Sequence, residues 1–358
     1  MKVIIIGSSI AGASAAFLLA NYANVVVYEK KARKDIGKKI CLNNTTSSFL
    51  NYCRKLGLNP KKYIISISEK AKIKSSNNIV VFKTKEFKIN REKFLNDLIK
   101  KAEKKGAKFY FNVNFLDFKK NNKFKIILNV GNKKISDYSD ILIGADGALS
   151  IVARKAGIKR KTYLVIQKEI QLKKLNLRLE RNSYNVYVGK KFGYFSYIFV
   201  YKDKAVIGLA DKLETASLRF KKFLKELRVD TKNISAAIVP EPNIFPNKKN
   251  LFLIGDAGGY TKFSGGGIVP AIMSAFAVKE VIVNNKFVKF LNLNKSILFN
   301  LIIFKILKKM NDRDFDCFIE IVKNRKFSDV LKRRDEFEVK DFIRLFDFRF
   351  LKFLPKLI

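Results

Sequence analysis

Lys2-Val3-Ile4-Ile5-Ile6-Gly7-Ser8-Ser9-Ile10-Ala11-Gly12, with Asn24-Val25-Val26-Val27-Tyr28-Glu29 downstream, is the stretch that decides how this chain folds. Lys2 to Ile6 is short, β-branched and nearly all apolar, the composition of a parallel strand buried on both faces. Ile10 to Asn21 is rich in Ala and Leu and reads as a helix, and Asn24 to Glu29 reads as the next strand. Together they make a βαβ unit of about thirty residues. Gly7, Ser9 and Gly12 fall on the first, third and sixth positions of the dinucleotide glycine fingerprint, with Ser9 replacing the middle glycine. Gly7 permits the tight turn, and Gly12 lets the helix pack close to the strand. A side chain as small as Ser9 still admits a pyrophosphate, weakening rather than abolishing its binding. The helix N-terminus offers free N–H groups and a positive dipole end to the phosphates. Glu29 ends the second strand, where an acid accepts hydrogen bonds from ribose hydroxyls.

Two further segments favour FAD over a nicotinamide cofactor. Ile143-Gly144-Ala145-Asp146-Gly147-Ala148-Leu149-Ser150-Ile151-Val152-Ala153-Arg154 looks like the second flavoprotein motif, a strand entering an Asp-Gly turn and a short helix. Leu253-Ile254-Gly255-Asp256-Ala257-Gly258-Gly259 looks like the third, whose Asp hydrogen-bonds the ribityl chain. The run Ser264-Gly265-Gly266-Gly267-Ile268 then opens a helix, where glycines let backbone approach the flavin ring and the helix end favours negative charge on it.

The rest of the chain is read around these anchors. Asn51 to Leu56 and Arg91 to Lys105 are helices closed by Gly57 and Gly106, and Ser139 to Ile143 is a buried strand. Tyr163 to Leu209 reads as an antiparallel sheet covering a pocket, Leu251 to Ile254 as a parallel strand, and Gly266 to Asn285 as a helix. The expected architecture is α/β: a discontinuous Rossmann-like FAD-binding domain (1–60, 88–160 and 248–286) interleaved with an antiparallel-sheet substrate or cap domain (61–87 and 161–247). A C-terminal helical region (287–358) completes an arrangement like that of aromatic hydroxylase flavoproteins.

Composition excludes much chemistry. The 358 residues contain no His, which removes Ser-His-Asp triads, Cys-His pairs and His-ligated metals. Cys41, Cys53 and Cys317 are too far apart for a Cys-x-x-Cys element, so no metal site or disulfide framework is expected, and a reducing, cytoplasmic compartment is. Lys+Arg number 73 against 31 Asp+Glu, a formal charge of +42. Because the lysines are scattered, this is either compositional drift or attraction to an anionic surface. The absence of a recognisable binding module or tight basic cluster argues against nucleic acid as a partner. The apolar run Ile297 to Leu307 is interrupted by Asn300 and Lys305 and falls short of the roughly 20 residues of a membrane span, so a soluble or peripheral protein is expected.

The motifs as a set resemble the geranylgeranyl reductase family, FAD-dependent enzymes that saturate isoprenoid double bonds, among them the archaeal digeranylgeranylglycerophospholipid reductases. The resemblance runs from Met1 to about Leu354. It is carried by Ile36-Gly37-Lys38-Lys39-Ile40-Cys41-Leu42-Asn43-Asn44, where Cys41 matches and Asn44 replaces a family Gly, and by Gly255 through Ile268, one residue shorter than the family loop and lacking its Pro. Phe195-Ser196-Tyr197-Ile198-Phe199-Val200 stands where the family has Tyr-x-Trp-x-Phe-Pro, keeping three aromatics at period two but neither Trp nor Pro.

Fingerprint and resemblance together imply cofactor contacts at Gly7, Ser9, Ala11, Gly12, Glu29, Cys41, Leu42, Arg91, Val113, Asp146, Gly255, Asp256, Gly266, Gly267 and Ile268. Phe195, Tyr197 and Phe199 are the expected substrate contacts, their ring faces suited to a developing positive charge. Reducing an alkene needs a hydride, which reduced flavin supplies, and a proton, which without His must come from Cys41, a Tyr such as Tyr197, or water. The implied partners are a prenyl lipid, an electron donor (NAD(P)H or ferredoxin) and an anionic membrane, against which Lys323 to Ile358 could lie; the same segment could equally cap the substrate domain. Two other readings stay open: an aromatic hydroxylase-type FAD monooxygenase, which shares the cofactor motifs, and a degenerate flavin-fold binding protein.

Overall fold

The computed structural model describes residues 1–38, 40–175, 177, 179–245, 248, 250–323, 353, 355 and 356. β1 (Lys2–Ile6), α1 (Ile10–Leu19) and β2 (Asn24–Glu29) form the βαβ unit that the opening residues specify. They sit in a five-stranded, all-parallel sheet ordered Leu251–Leu253, Ile141–Gly144, β1, β2, Lys108–Phe111. Strand alternation sends Val3 and Ile5 to one face and Ile4 and Ile6 to the other, and all four are essentially buried. The first face packs under α1 and the helices Arg91–Lys104 and Ile268–Asn284. The second packs on an antiparallel three-strand meander, Val113–Lys120, Phe124–Val130 and Lys133–Ser139, and on the short helix Ile151–Lys155. Burial on both faces is why β1 is apolar throughout: truncating Ile4 or Ile5 to Ala would cost about 2–5 kcal/mol.

The second sheet has eight strands, ordered Ser235–Pro240, Thr162–Gln171, Lys204–Asp211, Phe195–Tyr201, Ser183–Tyr187, Ile64–Lys74, Ile79–Ile89 and Asn44–Thr45. It is mixed where an antiparallel sheet was expected: Ser183–Tyr187 pairs in parallel with Ile64–Lys74. These two strands come from distant parts of the chain, so no hairpin turn imposes an antiparallel direction. Ile198, Val200, Ile207 and Leu209 point to one face, beneath Phe220, Phe223 and Leu224 of helix Leu213–Glu226. Tyr197, Phe199 and Tyr201 point to the other, where Leu42 and Ile65 pack against them.

Helix Val288–Lys309 corrects the expectation that this region holds no span-length apolar segment: its 22 residues are long and apolar enough to cross a membrane by length and composition. One third of its apolar window is buried in the protein, with Phe304 packed edge-on and tilted against Tyr194 and Tyr163. Asn300, which seemed to interrupt the run, is buried and accepts the Phe263 N–H at 3.0 Å. Helix Asp312–Val322 follows, started by a capping box between Asn311 and Asp314. Of the proposed membrane-facing segment Lys323 to Ile358, all but Lys323, Phe353, Pro355 and Lys356 lies outside the described residues.

Candidate active site

The turn after β1 is built by steric necessity. Gly7 has φ +99°, and a Cβ there would meet the Ala145 carbonyl oxygen at 2.5 Å. A Cβ on Gly12 would lie 1.9 Å from the Gly7 oxygen, so α1 reaches the strand only because both positions lack side chains. Ser9 stands at the N-cap of α1 without capping it through its side chain. Instead its hydroxyl accepts a hydrogen bond from Arg91 Nη2 at 2.8 Å. Arg91 heads helix Arg91–Lys104, is 8% exposed, and its Nε is buried with no hydrogen-bond partner. A buried guanidinium with an unsatisfied N–H beside a helix N-terminus has the chemistry of a phosphate clamp.

Glu29 ends β2 nearly buried and faces the same cavity. Its carboxylate accepts the Ser8 N–H at 2.7 Å, the Ser8 hydroxyl at 3.1 Å and the Lys31 N–H at 2.9 Å. Those bonds fix both oxygens, leaving acceptor capacity for a ribose hydroxyl.

Across the sheet, Asp146 accepts the Ile151 N–H at 2.7 Å and the Val152 N–H at 3.2 Å, so one oxygen caps the short helix. Its other oxygen is buried without a partner. Burial raises its carboxyl above the ordinary range against the pull of Ser150 and the backbone N–H groups. Arg160, which sequence reasoning missed, links the second and third motifs: Nη1 donates to the Asp256 carbonyl at 2.8 Å, while Nη2 is buried and unpartnered. Burial lowers its guanidinium while Asp146 and Asp256 oppose the shift. Gly255 has φ +56°, and a Cβ there would sit 2.8 Å from Ala11 Cβ; a Cβ on Gly267 would meet Asp256 Oδ1 at 3.0 Å.

Gly7, Ser9, Glu29, Arg91, Asp146, Gly255, Asp256 and Gly267 line one continuous cavity of about 1160 Å³, and Arg160 braces it through the Asp256 carbonyl. That exceeds the roughly 300–1,000 Å³ of ordinary ligand pockets, as a site holding a dinucleotide and a substrate must. Ala11, Leu42, Val113, Gly266 and Ile268 also line it, so the structure brings together every expected cofactor contact except Gly12, whose role is to seat α1. At its far end lies the loop carrying Cys41, whose Sγ accepts the Asn43 N–H at 3.4 Å. The positive φ falls on Asn43 (+56°), and Asn44 belongs to a strand, so Asn44 in place of Gly carries no left-handed strain.

Lys88, also unforeseen, holds this loop. It is 7% exposed, donates to the Leu42 carbonyl at 3.0 Å, and lies 4.2 Å from the Tyr201 ring centre and 5.7 Å from that of Phe199. Burial lowers its ammonium below the usual lysine range, against the attraction of Glu169 and Cys41.

Of the aromatic stripe, Phe195 and Tyr197 line the cavity. Phe199 requires correction: it is fully buried, stacks on Tyr201 and does not line the cavity. The stripe is one sheet face, but the loop at Leu42 packs over its lower part. Tyr197 donates to Gln167 at 3.2 Å, and burial holds its phenol far above its ordinary range, which makes it a poor proton source. Its ring occupies the space that a Cβ on Gly208 would need, 2.1 Å from Tyr197 Cζ. The remaining wall is apolar, with Val165, Val186 and Ile238 from the sheet and Phe299, Ile302, Ile303 and Ile306 from helix Val288–Lys309.

The residues fit FAD: a glycine turn and clamp for the diphosphate, an acid for the ribose, and glycines around the ring end. Comparison with known proteins agrees. The family model of an FAD binding domain matches residues 1–192. An uncharacterized protein of Methanocaldococcus jannaschii is 25% identical over 177 residues, an alignment spanning 46% of either protein, so the chain spans about half the length of that curated relative. Among solved structures, a geranylgeranyl bacteriochlorophyll reductase-like protein from Thermoplasma acidophilum superposes with a TM-score of 0.80 at 19% identity, covering 100% of this chain and 99% of that one. A flavin-dependent brominase gives 0.71 at 16% identity, and the p-nitrophenol 4-monooxygenase of Pseudomonas putida 0.70 at 14%; each covers 96% of this chain and 97% of the other. At these identities the structural likeness carries the fold alone. The family match supplies the cofactor: this chain belongs to the FAD binding domain family.

Proposed function

We propose that the protein reduces carbon–carbon double bonds in the isoprenoid chain of a prenyl lipid. The observation that carries this reading is the wall beyond the cofactor residues, built from Val165, Val186, Phe195, Ile238, Phe299, Ile302, Ile303 and Ile306. Such a surface gains about 25 cal/mol per Å² of hydrocarbon it covers and offers an extended alkyl chain no charged partner. The likeness to the geranylgeranyl bacteriochlorophyll reductase-like protein of Thermoplasma acidophilum supports the same reading.

Bound FAD, once reduced, supplies the hydride. The chain's own residues bind, orient and protect. Arg91 and the N-terminus of α1 take the diphosphate, and Glu29 takes the ribose. Phe195 and Tyr197 align the alkene and present ring faces to developing positive charge. Cys41, partly exposed to the cavity on a loop fixed by Lys88, is the proton donor to the second carbon. An electron donor of the NAD(P)H or ferredoxin type must reload the cofactor, and the +42 charge suits either an acidic donor protein or an anionic membrane surface.

The test is anaerobic. The FAD-loaded protein is reduced with dithionite, a geranylgeranyl lipid is added, and flavin absorbance and lipid mass are followed. Reoxidation with a gain of two hydrogens per saturated bond is expected. No reoxidation by any prenyl substrate, together with oxygen consumption driven by NADPH and a phenol, would replace this reading with the monooxygenase one.

A further inference from the structure

Lys262 lies in the turn between the third motif and helix Ile268–Asn284, and neither the glycine fingerprint nor the mechanism above uses it. It is 5% exposed and lines the cavity. Its N–H donates to the Gly266 carbonyl at 3.0 Å, and the Gly265 N–H returns to its own carbonyl at 2.9 Å, so the backbone doubles back on itself. A Cβ on Gly266 would meet Lys262 Cε at 2.5 Å and Nζ at 3.1 Å. The side chain therefore runs across the bare face of Gly266, and only glycine leaves it that path. Its ammonium lies beside Gly266, two residues before a 17-residue helix whose N-terminal dipole has the same sign.

The position along the cavity identifies what it meets. Glu29 marks the adenosine end and the α1 N-terminus the diphosphate. The ring end thus falls where the Gly255–Ile268 segment meets the Cys41 loop. Two-electron reduction of FAD with uptake of one proton leaves one net negative charge on the ring, and protein charge near it tunes its electronics. Besides Glu29, the acidic groups of the cavity wall are Glu86, Asp146 and Asp256; the other cations near this region are Lys88, which holds the Cys41 loop, and Arg160, bonded to the Asp256 carbonyl. We propose that Lys262 is a redox-tuning residue whose ammonium offsets the charge of the reduced ring and makes bound FAD easier to reduce. This rests on FAD binding and is independent of which substrate is reduced.

The experiment uses the full FAD-loaded chain with Lys262→Met, Lys262→Gln and Lys262→Arg. The reduction potential is measured against a reference dye during slow enzymatic reduction. Sulfite affinity of the oxidised flavin is measured by absorbance, because sulfite addition also places negative charge on the ring. The Met and Gln variants should shift the oxidised-to-reduced partition about tenfold, about 30 mV for a two-electron couple. They should also weaken sulfite binding about tenfold, and Arg should restore both. Unchanged potential and sulfite affinity in either neutral variant would overturn the proposal. So would a Met variant that loses FAD while the Gln variant keeps wild-type potential, since the role would then be structural fit. Loss of prenyl reduction with an unchanged potential would bear on the substrate reading and also count against Lys262.

Discussion

Arg91→Met should move cofactor affinity and apoprotein stability in different directions. In the protein alone, the Arg91 guanidinium is 8% exposed, makes one bond to the Ser9 hydroxyl and has a buried Nε with no partner. A buried polar group without a partner costs about 1–3 kcal/mol, which offsets whatever the Ser9 bond and the packing of the stem contribute. Methionine keeps most of that stem and removes the unsatisfied group, so the apoprotein should melt at or above the wild-type temperature. The diphosphate, by contrast, loses a charge-assisted hydrogen bond worth about 1.5–3 kcal/mol. At about 1.4 kcal/mol per decade, FAD should bind about 10- to 150-fold more weakly. The assay is titration of deflavinated protein with FAD, read by quenching of flavin fluorescence, beside thermal unfolding of both apoproteins. Wild-type FAD affinity in the variant would refute the clamp. A weaker affinity matched by an equal loss of apoprotein stability would show that Arg91 serves the fold instead.

Gly208→Ala would drive a methyl into the Tyr197 ring and release its bond to Gln167, costing about 1–3 kcal/mol; thermal melting should fall, FAD titration should stay normal, and prenyl turnover should drop. Ile303→Phe narrows the apolar arm, so the reductase reading expects shorter prenyl chains to be retained and longer ones rejected in a chain-length series assayed by lipid mass. Glu280 is held down to about 2 by hydrogen bonds from Lys289, on the next helix, and from Asn284 on its own. A depressed carboxyl stabilises the fold above its unfolded value near 4.5, and that contribution is lost as pH falls through about 2. Glu280→Gln should therefore melt lower than wild type at pH 7, with the gap closing in melts taken toward pH 2. Cys53 is fully buried with its thiol pushed up to about 12 by desolvation, so alkylation at pH 8 should label Cys41 readily and leave Cys53 unmodified by peptide mapping.

The cofactor lobe was legible because its constraints are local. Gly7 takes a left-handed turn, Gly12 is needed by the Gly7 carbonyl five residues away, β1 is apolar because it is covered on both faces, and Arg91 follows a readable helix start. Arg160 and Lys88 were not legible. Each acts by reaching a backbone carbonyl far away in the chain, Asp256 and Leu42, and a lone basic residue among 73 carries no sign of such a partner. The stripe Phe195, Tyr197, Phe199 was correctly placed on one face, yet only packing of the Leu42 loop decided that Phe199 lies beneath it rather than in the cavity.

The sequence by itself determined that this chain folds a parallel βαβ cradle for FAD, because a turn that tolerates no Cβ and a strand buried on both sides leave residue types that nothing else explains. Tertiary structure alone decided how the second sheet pairs and which face of helix Val288–Lys309 walls the cavity. It also decided which two aromatics of the stripe line the cavity and where the Lys262 side chain runs. Those outcomes depend on contacts between segments distant in the chain, and spacing along a sequence records only what neighbours demand of one another.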